Sequence, residues 1–433
     1  MNSYVGNRRW GIVFLLALCY LVLFMDRSCM SMAGPAMMKY YNWTPSQFGL
    51  ASTAFFIGYA IMQMPGGRLA DRFGGGKVMV AGALWWGLFV YLTPYGPTLF
   101  AVMIIRMLMG LGEGVTMPAI HSTAARWYPK KEAGKAIGIV QIGCPAGIAL
   151  TMILATWVLQ TWNWQSVFHS FAFLAPLWCL VWWKYGKDRP DKDSRIKKAE
   201  LEYILQDKTL DLAVHSGEQA LTKKDIFLTP SVWCCALSYF CANYLFFLFM
   251  TWLPTYFVLG RGINLNQSAI YSMLPYLVAI FTYPLGGFFA DAASKRFGQN
   301  IGRKLFPMVG LISAGVFLIL GAHATSAGYA AALISASNGF LTLTMGGFFS
   351  MPVVFSDKNV GLITGIFTTL GTSAGILAPM ITGFIVDYTG KYENALFTGA
   401  GVAMAGAIIL MTICQVKPII RKAGQAENLA AEH

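Results

Sequence analysis

Four ionisable residues interrupt otherwise apolar stretches in the first half of this 433-residue chain: Asp26, Arg27, Arg106 and Glu113. The apolar cores of the second half hold none. A charged side chain near the centre of a bilayer costs roughly 2.5–3.5 kcal/mol on insertion scales, so such residues mark a functional site. Two acids and two arginines confined to one half predict a site that binds an anion and moves a proton. Arg27 offers a planar fork suited to bidentate capture of a carboxylate. Asp26 and Glu113 are the expected proton acceptors. Burial favours a protonated acid and a nearby guanidinium favours an ionised one, so making or breaking an arginine pairing moves the proton. Arg106 is the expected switch, pairing with either acid and releasing it when substrate arrives. The competing reading is a static charge network that only fixes helix packing.

Only a membrane protein positions charges in this way. The chain is 56% hydrophobic and 12% charged, with a mean hydropathy of +0.55, outside the range of water-soluble domains. Its uncharged runs divide at Pro and Gly turns into twelve spans of about 20 residues. The spans lie near 10–34, 46–69, 77–94, 97–121, 134–158, 165–185, 230–258, 267–290, 305–322, 326–350, 360–386 and 392–415. At 1.5 Å per residue, Asp26 stands about 24 Å from Trp10 at the start of span one. Glu113 and Arg106 stand about 20 and 30 Å from Arg126 at the end of span four. All four charges therefore reach one layer near the midplane. Arg106 and Glu113, two turns apart, share a face, while Asp26 and Arg27 point about 100° apart.

The basic residues orient the chain. With both termini cytoplasmic, 27 of the 32 Lys and Arg fall on that side, as the positive-inside rule requires. The net charge of +13 then reflects topology and not nucleic-acid binding. Arg8-Arg9 before an apolar run resembles a signal peptide, but no small-residue cleavage site follows, so the first segment is expected to be retained. The eight cysteines fall in spans without metal-ligand spacing and read as small hydrophobes. Trp85, Trp86, Trp157, Trp162 and Trp164 fit interfacial belts.

A polar stretch, Lys184–Asp225, separates two six-span halves. The expected units are 1–186, an N-terminal bundle; 187–228, a cytoplasmic linker; 229–416, a C-terminal bundle; and 417–433, a tail. The halves echo each other. Gly66-Gly-Arg-Leu-Ala-Asp71 ending span two answers Gly286-Gly-Phe-Phe-Ala-Asp291 ending span eight. The ridges Gly134-x3-Gly138 and Gly143-x3-Gly147 in span five answer Gly361-x3-Gly365 and Gly371-x3-Gly375 in span eleven. Small-residue ridges let helices approach closely, and duplicated halves around a midplane site are the architecture of alternating-access transporters.

Gly67-x3-Asp71-Arg72-x-Gly74 resembles the loop between spans two and three of the major facilitator superfamily, although Gly75-Gly76-Lys77 stands where two adjacent basic residues are usual. Asp26-Arg27, Arg106-x6-Glu113-Gly with Pro118 and His121, Trp252-Leu-Pro-Thr-Tyr256, and Ala378-Pro379 with Gly383 together resemble its anion:cation symporter family. The resemblance covers essentially the whole chain. It implies an all-α membrane protein of twelve helices in two pseudo-symmetric six-helix bundles. It also implies Tyr59 as a substrate contact, and Gln141, Thr368 and Thr372 on the ridges that line the cavity. Asp71, Arg72, Arg126, His121 and Asp291 belong to the gate in this reading.

The resulting expectation is proton-coupled symport of a small organic anion into the cell. A sugar acid such as a hexonate, hexuronate or aldarate leads, and the alternatives are another carboxylate or sulfonate, or exchange. Sugar-acid carriers of the family that the chain resembles often hold Asn at the span-eleven positions where this chain has Thr368 and Thr372. No cofactor is expected beyond the coupling proton, and the partners are the anion and the lipid bilayer. The short loops suggest a bacterial inner membrane, and the fold that the resemblance implies makes a monomer the default. An organophosphate antiporter would carry an Arg in span seven, and Leu237–Phe257 has none. A drug antiporter would carry Gly-Pro-x-x-Gly-Gly, matched only in part by Gly143-Cys-Pro-Ala-Gly147. HExxH and Walker A patterns are absent, and the GxSxG match Gly371-Thr-Ser-Ala-Gly375 lies inside the small-residue ridge of span eleven instead of at a strand-to-helix turn, so the chain reads as no enzyme.

Overall fold

The computed structural model describes residues 6–205, 223–356 and 359–419; the middle of the predicted linker and most of the tail lie outside them. The described chain is almost entirely helical. The helices are α1 (Arg8–Tyr41), α2 (Pro45–Phe73), α3 (Gly75–Leu92), α4 (Leu99–Gly114), α5 (Thr116–Trp127) and α6 (Lys130–Thr161). There follow α7 (Trp164–Ala172), α8 (Leu174–Tyr185), α9 (Pro230–Thr255), α10 (Leu265–His323), α11 (Ala327–Phe355), α12 (Val360–Thr389) and α13 (Tyr392–Thr412). Among the described residues, eleven helical stretches are long and apolar enough to cross a membrane, so the protein is a multi-pass membrane protein. In that count α4 and α5 form one stretch, as do α7 and α8.

The predicted spans agree with these helices in number and order except at one place. Spans eight and nine are joined in the 59-residue α10. A straight helix of that length would reach about 88 Å, nearly three times the hydrocarbon thickness. The chain breaks helical geometry at Gly298, whose φ of 80° suits glycine. A Cβ on Gly302 would strike the Ser294 backbone, so the two limbs of α10 lie against each other there.

Turn chemistry sets the other ends. Thr44 and Gln47 form a capping box at the start of α2, with Pro45 at its first position. Asn163, Asn264 and Ser326 cap α7, α10 and α11 with their side chains. Left-handed Asn42 and Gly390 close α1 and α12. Pro118 lacks the N–H that would bond back to Gly114, and the helix parts there into α4 and α5. Glu113 is placed immediately before that break.

The two halves are built alike. Gly66 of α2 abuts Val115, and Gly286 of α10 abuts the backbone of Leu343 in α11, so the repeated Gly-x4-Asp segment packs the same pair of helices in each half. The hydrogen bonds between the halves include Ser31 Oγ to the Thr251 carbonyl, the Ser46 N–H to Asp387, Thr53 Oγ1 to the Ile376 carbonyl, and Gln160 to Asn266. These positions lie toward the end of the bundle opposite the linker, here the far end. There Gly49 and Gly383 sit directly on the Pro379 and Pro45 backbones. Toward the linker end, a Cβ added at Gly134, Gly138, Gly361 or Gly365 would meet nothing within 4 Å. The named contacts between the halves thus gather at the far end, while these ridge glycines near the linker end face open space.

Candidate functional site

Close crossing of α2 and α4 brings the charged layer together. Cβ atoms on Gly58 and Gly110 would run into the Met107 and Phe55 carbonyls, and one on Gly114 into that of Tyr59. This contact needs no side chain at three positions. It sets Phe55 and Tyr59 beside Arg106 and Glu113. On the other side, α6 packs on α1 through Gly143 and Gly147, which press on the backbone from Ala17 to Leu21. Thr151 of α6 also donates to the Met25 carbonyl, next to the charged pair.

All four charged side chains are buried. Arg27 donates from Nη2 and Nε to the same Glu113 oxygen, Oε2, at 2.8 and 3.1 Å. Its guanidinium carbon stands 4.7 Å from the ring centre of Tyr59 and 4.8 Å from those of Phe24 and Phe55. A desolvated guanidinium in an aromatic cage gains cation–π attraction without losing its capacity to donate. Asp26 turns the opposite way and accepts a 2.8 Å hydrogen bond from the Trp86 indole. Its second oxygen, Oδ1, has no hydrogen-bond partner, and neither has Glu113 Oε1. Buried carboxylate oxygens without donors are costly, and they leave capacity for a proton or an incoming group.

Arg106 departs from the sequence expectation. Its Nη1 donates to the Met109 sulfur, its guanidinium lies 5.1 Å from the Phe55 ring centre, and its Nε has no partner. No ion pair joins it to a described acid; Glu113 is held by Arg27 instead. Seven residues on one helix span about 10 Å, so Arg106 and Glu113 share a face without touching.

Trp86 also departs from expectation. Charge-free and apolar, it reads as a belt residue, yet it is fully buried and is the donor to Asp26. Trp164 is likewise buried, whereas Trp85, Trp157 and Trp162 are exposed.

The remaining predicted residues divide by location. Tyr59 is part of the Arg27 cage. Thr372 accepts nothing from its own half; its hydroxyl donates to Gln63 Oε1 of α2 at 3.3 Å, across the two halves. Thr368, one turn nearer the linker end, returns its hydroxyl to Thr364 and Gly365 of its own helix. Gln141 is buried with an unpartnered Oε1.

At the linker end, Asp71 receives a hydrogen bond from Ser122, and Arg72 is exposed over the Phe73 ring. Arg126 pairs with Asp188 at 2.7 Å and donates to the Ala70 carbonyl. Asp188 also accepts from the Gly76 N–H, and so ties the α2–α3 turn to the end of α8. Asp291 pairs with Arg303 in the second half. None of these contacts crosses from one half to the other. His121 is exposed and has no hydrogen bond to a described residue. Asp188 was hidden from sequence reading among the alternating charges of the polar stretch.

That stretch is fastened to the first half. Glu200 accepts the backbone N–H groups of Arg8 and Arg9, and the Arg9 guanidinium bridges Glu200 and Glu132. Arg8 pairs with Asp193 at 2.7 Å. A carboxylate on the first N–H groups of a helix satisfies orphan donors and complements the helix dipole.

Known proteins resemble this chain in sequence and in fold. The chain is 29% identical to the hexuronate transporter of Bacillus subtilis, over 96% of this chain and 97% of that one. It is 28% identical to the probable sulfoacetate transporter SauU of Cupriavidus necator, over 97% and 98%. A bacterial homologue of the human lysosomal transporter Spinster, solved in an inward-facing and occupied conformation, superposes with a TM-score of 0.71 at 18% identity, covering 94% of this chain and 95% of that one. The sequence model described as Major Facilitator Superfamily matches residues 16–379. Paired helical bundles, a charged layer in one of them and these matches lead to one conclusion: the chain is a transporter and not an enzyme, and it belongs to the Major Facilitator Superfamily.

Proposed function

We propose that this protein is a proton-coupled symporter of a small organic anion, with sugar acids as the leading substrate class. The observation that carries the reading is the Arg27–Glu113 pair, in which one carboxylate oxygen takes both guanidinium bonds and the other has no partner. A substrate carboxylate competes with Glu113 for the same fork. Protonation of Glu113 removes its charge and frees Arg27, so proton and anion load together. Asp26 on Trp86 is the second acid. Arg106, unpaired here, meets a carboxylate in another state of the cycle.

In this reading the linker end faces the cytoplasm and the state is inward-facing, because most basic residues lie at that end. The two limbs of α10 count as two crossings, which makes twelve. The protein works as a monomer in a bacterial inner membrane and needs no cofactor. The names of the hexuronate and sulfoacetate relatives support an anion and set the second substrate class, a small sulfonate.

Proteoliposomes test this with radiolabelled hexonates, hexuronates, aldarates and sulfoacetate. An imposed pH gradient, acid outside, is expected to drive accumulation that an ionophore collapses. Arg27→Ala should abolish uptake and exchange. Glu113→Gln should retain exchange and lose accumulation; accumulation against a gradient by Glu113→Gln would refute the coupling assignment.

A further inference from the structure

Beyond the charged layer, one contact joins it to the opposite half. Tyr59 caps the Arg27 guanidinium with its ring at 4.7 Å. Gln63 follows Tyr59 by four residues in α2, one turn along the same face. The Gln63 carbonyl oxygen then accepts the Thr372 hydroxyl of α12 at 3.3 Å. A continuous line of side chains therefore runs from Glu113 through Arg27, Tyr59 and Gln63 to Thr372.

Its position gives that line a use. On α2, the residues bonded across to the second half are Ser46, Thr53 and Gln63, facing Asp387, Ile376 and Thr372. Gln63 and Thr372 stand nearest the linker end in this series. On their far side, Phe56 fills the notch at Gly375 and packs on Phe247 with ring centres 4.7 Å apart. On their linker side, Gly365 and Gly361 face open space. The contact lies where the sealed part of the bundle ends. A 3.3 Å bond between the half-buried Gln63 amide and the buried Thr372 hydroxyl is near the limit of hydrogen-bond geometry and is readily exchanged for a substrate hydroxyl or carboxylate.

We propose that Gln63 and Thr372 form a strut by which the charged layer of the first half holds the second half in the empty carrier, and that substrate replaces this contact when it occupies Arg27 and Tyr59. The inference rests on Arg27 as the anion clamp. Gln63 is thereby a positioning residue: it transmits occupancy, and it offers the substrate an amide in place of Thr372.

The test uses the full chain in proteoliposomes, with Gln63→Leu, Thr372→Val, the double variant and Thr372→Ser. Spin labels on the linker-end ridges of α6 and α12 report the separation of the halves without substrate. Gln63→Leu and Thr372→Val should each broaden that distance distribution and admit substrate-independent proton leak. The double variant should be no worse than either single, because both remove one contact, and Thr372→Ser should behave as the parent protein. Unaltered distances in both single variants, or additive effects in the double, would overturn the proposal. If the parent protein accumulates none of the acids, the substrate reading fails, while the substrate-free distances still decide the strut.

Discussion

Arg106 is a buried arginine without an ion pair to a described acid. A buried guanidinium resting on Phe55 and a thioether has lost its water without gaining an acid. Such a group is destabilising unless it is needed elsewhere, since an uncompensated buried charge costs several kcal/mol. Arg106→Met should therefore raise the melting temperature by about 2–4 °C while abolishing uptake, the trade of stability for function found at working sites. A lowered melting temperature with uptake intact would instead make Arg106 a packing residue. Glu113 shows the complementary case. It has an arginine, but an oxygen to spare, and it stands just before the break that Pro118 makes between α4 and α5.

At the level of helices, the charged layer depends on glycines that sequence alone does not rank. Gly58, Gly110 and Gly114 hold α2 against α4, whereas Gly361 and Gly287 face open space. Gly58→Ala should then reduce uptake at least tenfold, because a Cβ there pushes Tyr59 off Arg27, and Gly287→Ala should leave it near the parental rate. Equal effects of the two would show that the crossing does not set the site. The connector offers a second prediction. Burial raises the Asp193 carboxyl, but the Arg195 backbone N–H and the guanidinium groups of Arg8 and Arg195 outweigh it and hold it below the ordinary carboxylate range. A depressed carboxyl stabilises the attached state above its unfolded-state value, and that contribution is lost as pH falls through the lower folded value. Hydrogen exchange in residues 197–205 should accelerate below about pH 4, and Asp193→Asn should show fast exchange already at neutral pH.

For the whole molecule, sequence and structure meet unevenly, and the pattern has a physical cause. Asp26, Arg27, Arg106 and Glu113 were legible because charge inside apolar helices is expensive and therefore visible in one dimension. The duplicated halves were legible because Gly66 and Gly286 repeat one helix–helix contact. Trp86, Gln63, Asp188 and Glu200 were not, since each takes its role from a partner 60 or more residues away: Trp86 from Asp26, Gln63 from Thr372, Asp188 from Arg126 and Gly76, Glu200 from Arg9. The Gly298 reversal was legible as well, because the polar residues from Asp291 to Lys304 part spans eight and nine. What no linear pattern shows is the state of the carrier, with Ser46 bonded to Asp387 at the far end and Gly138 and Gly365 in open space. Alternating access requires those far-end contacts to part during each cycle. In a cysteine-free background, Ser46→Cys with Asp387→Cys, joined by a short bifunctional thiol reagent, should stop uptake and recover on cleavage of the reagent. In the same cross-linked protein, Gly138→Cys should stay reactive to an impermeant thiol reagent applied from the linker side. Uptake that survives complete cross-linking would mean that the far end never opens, and that the halves do not rock about the charged layer.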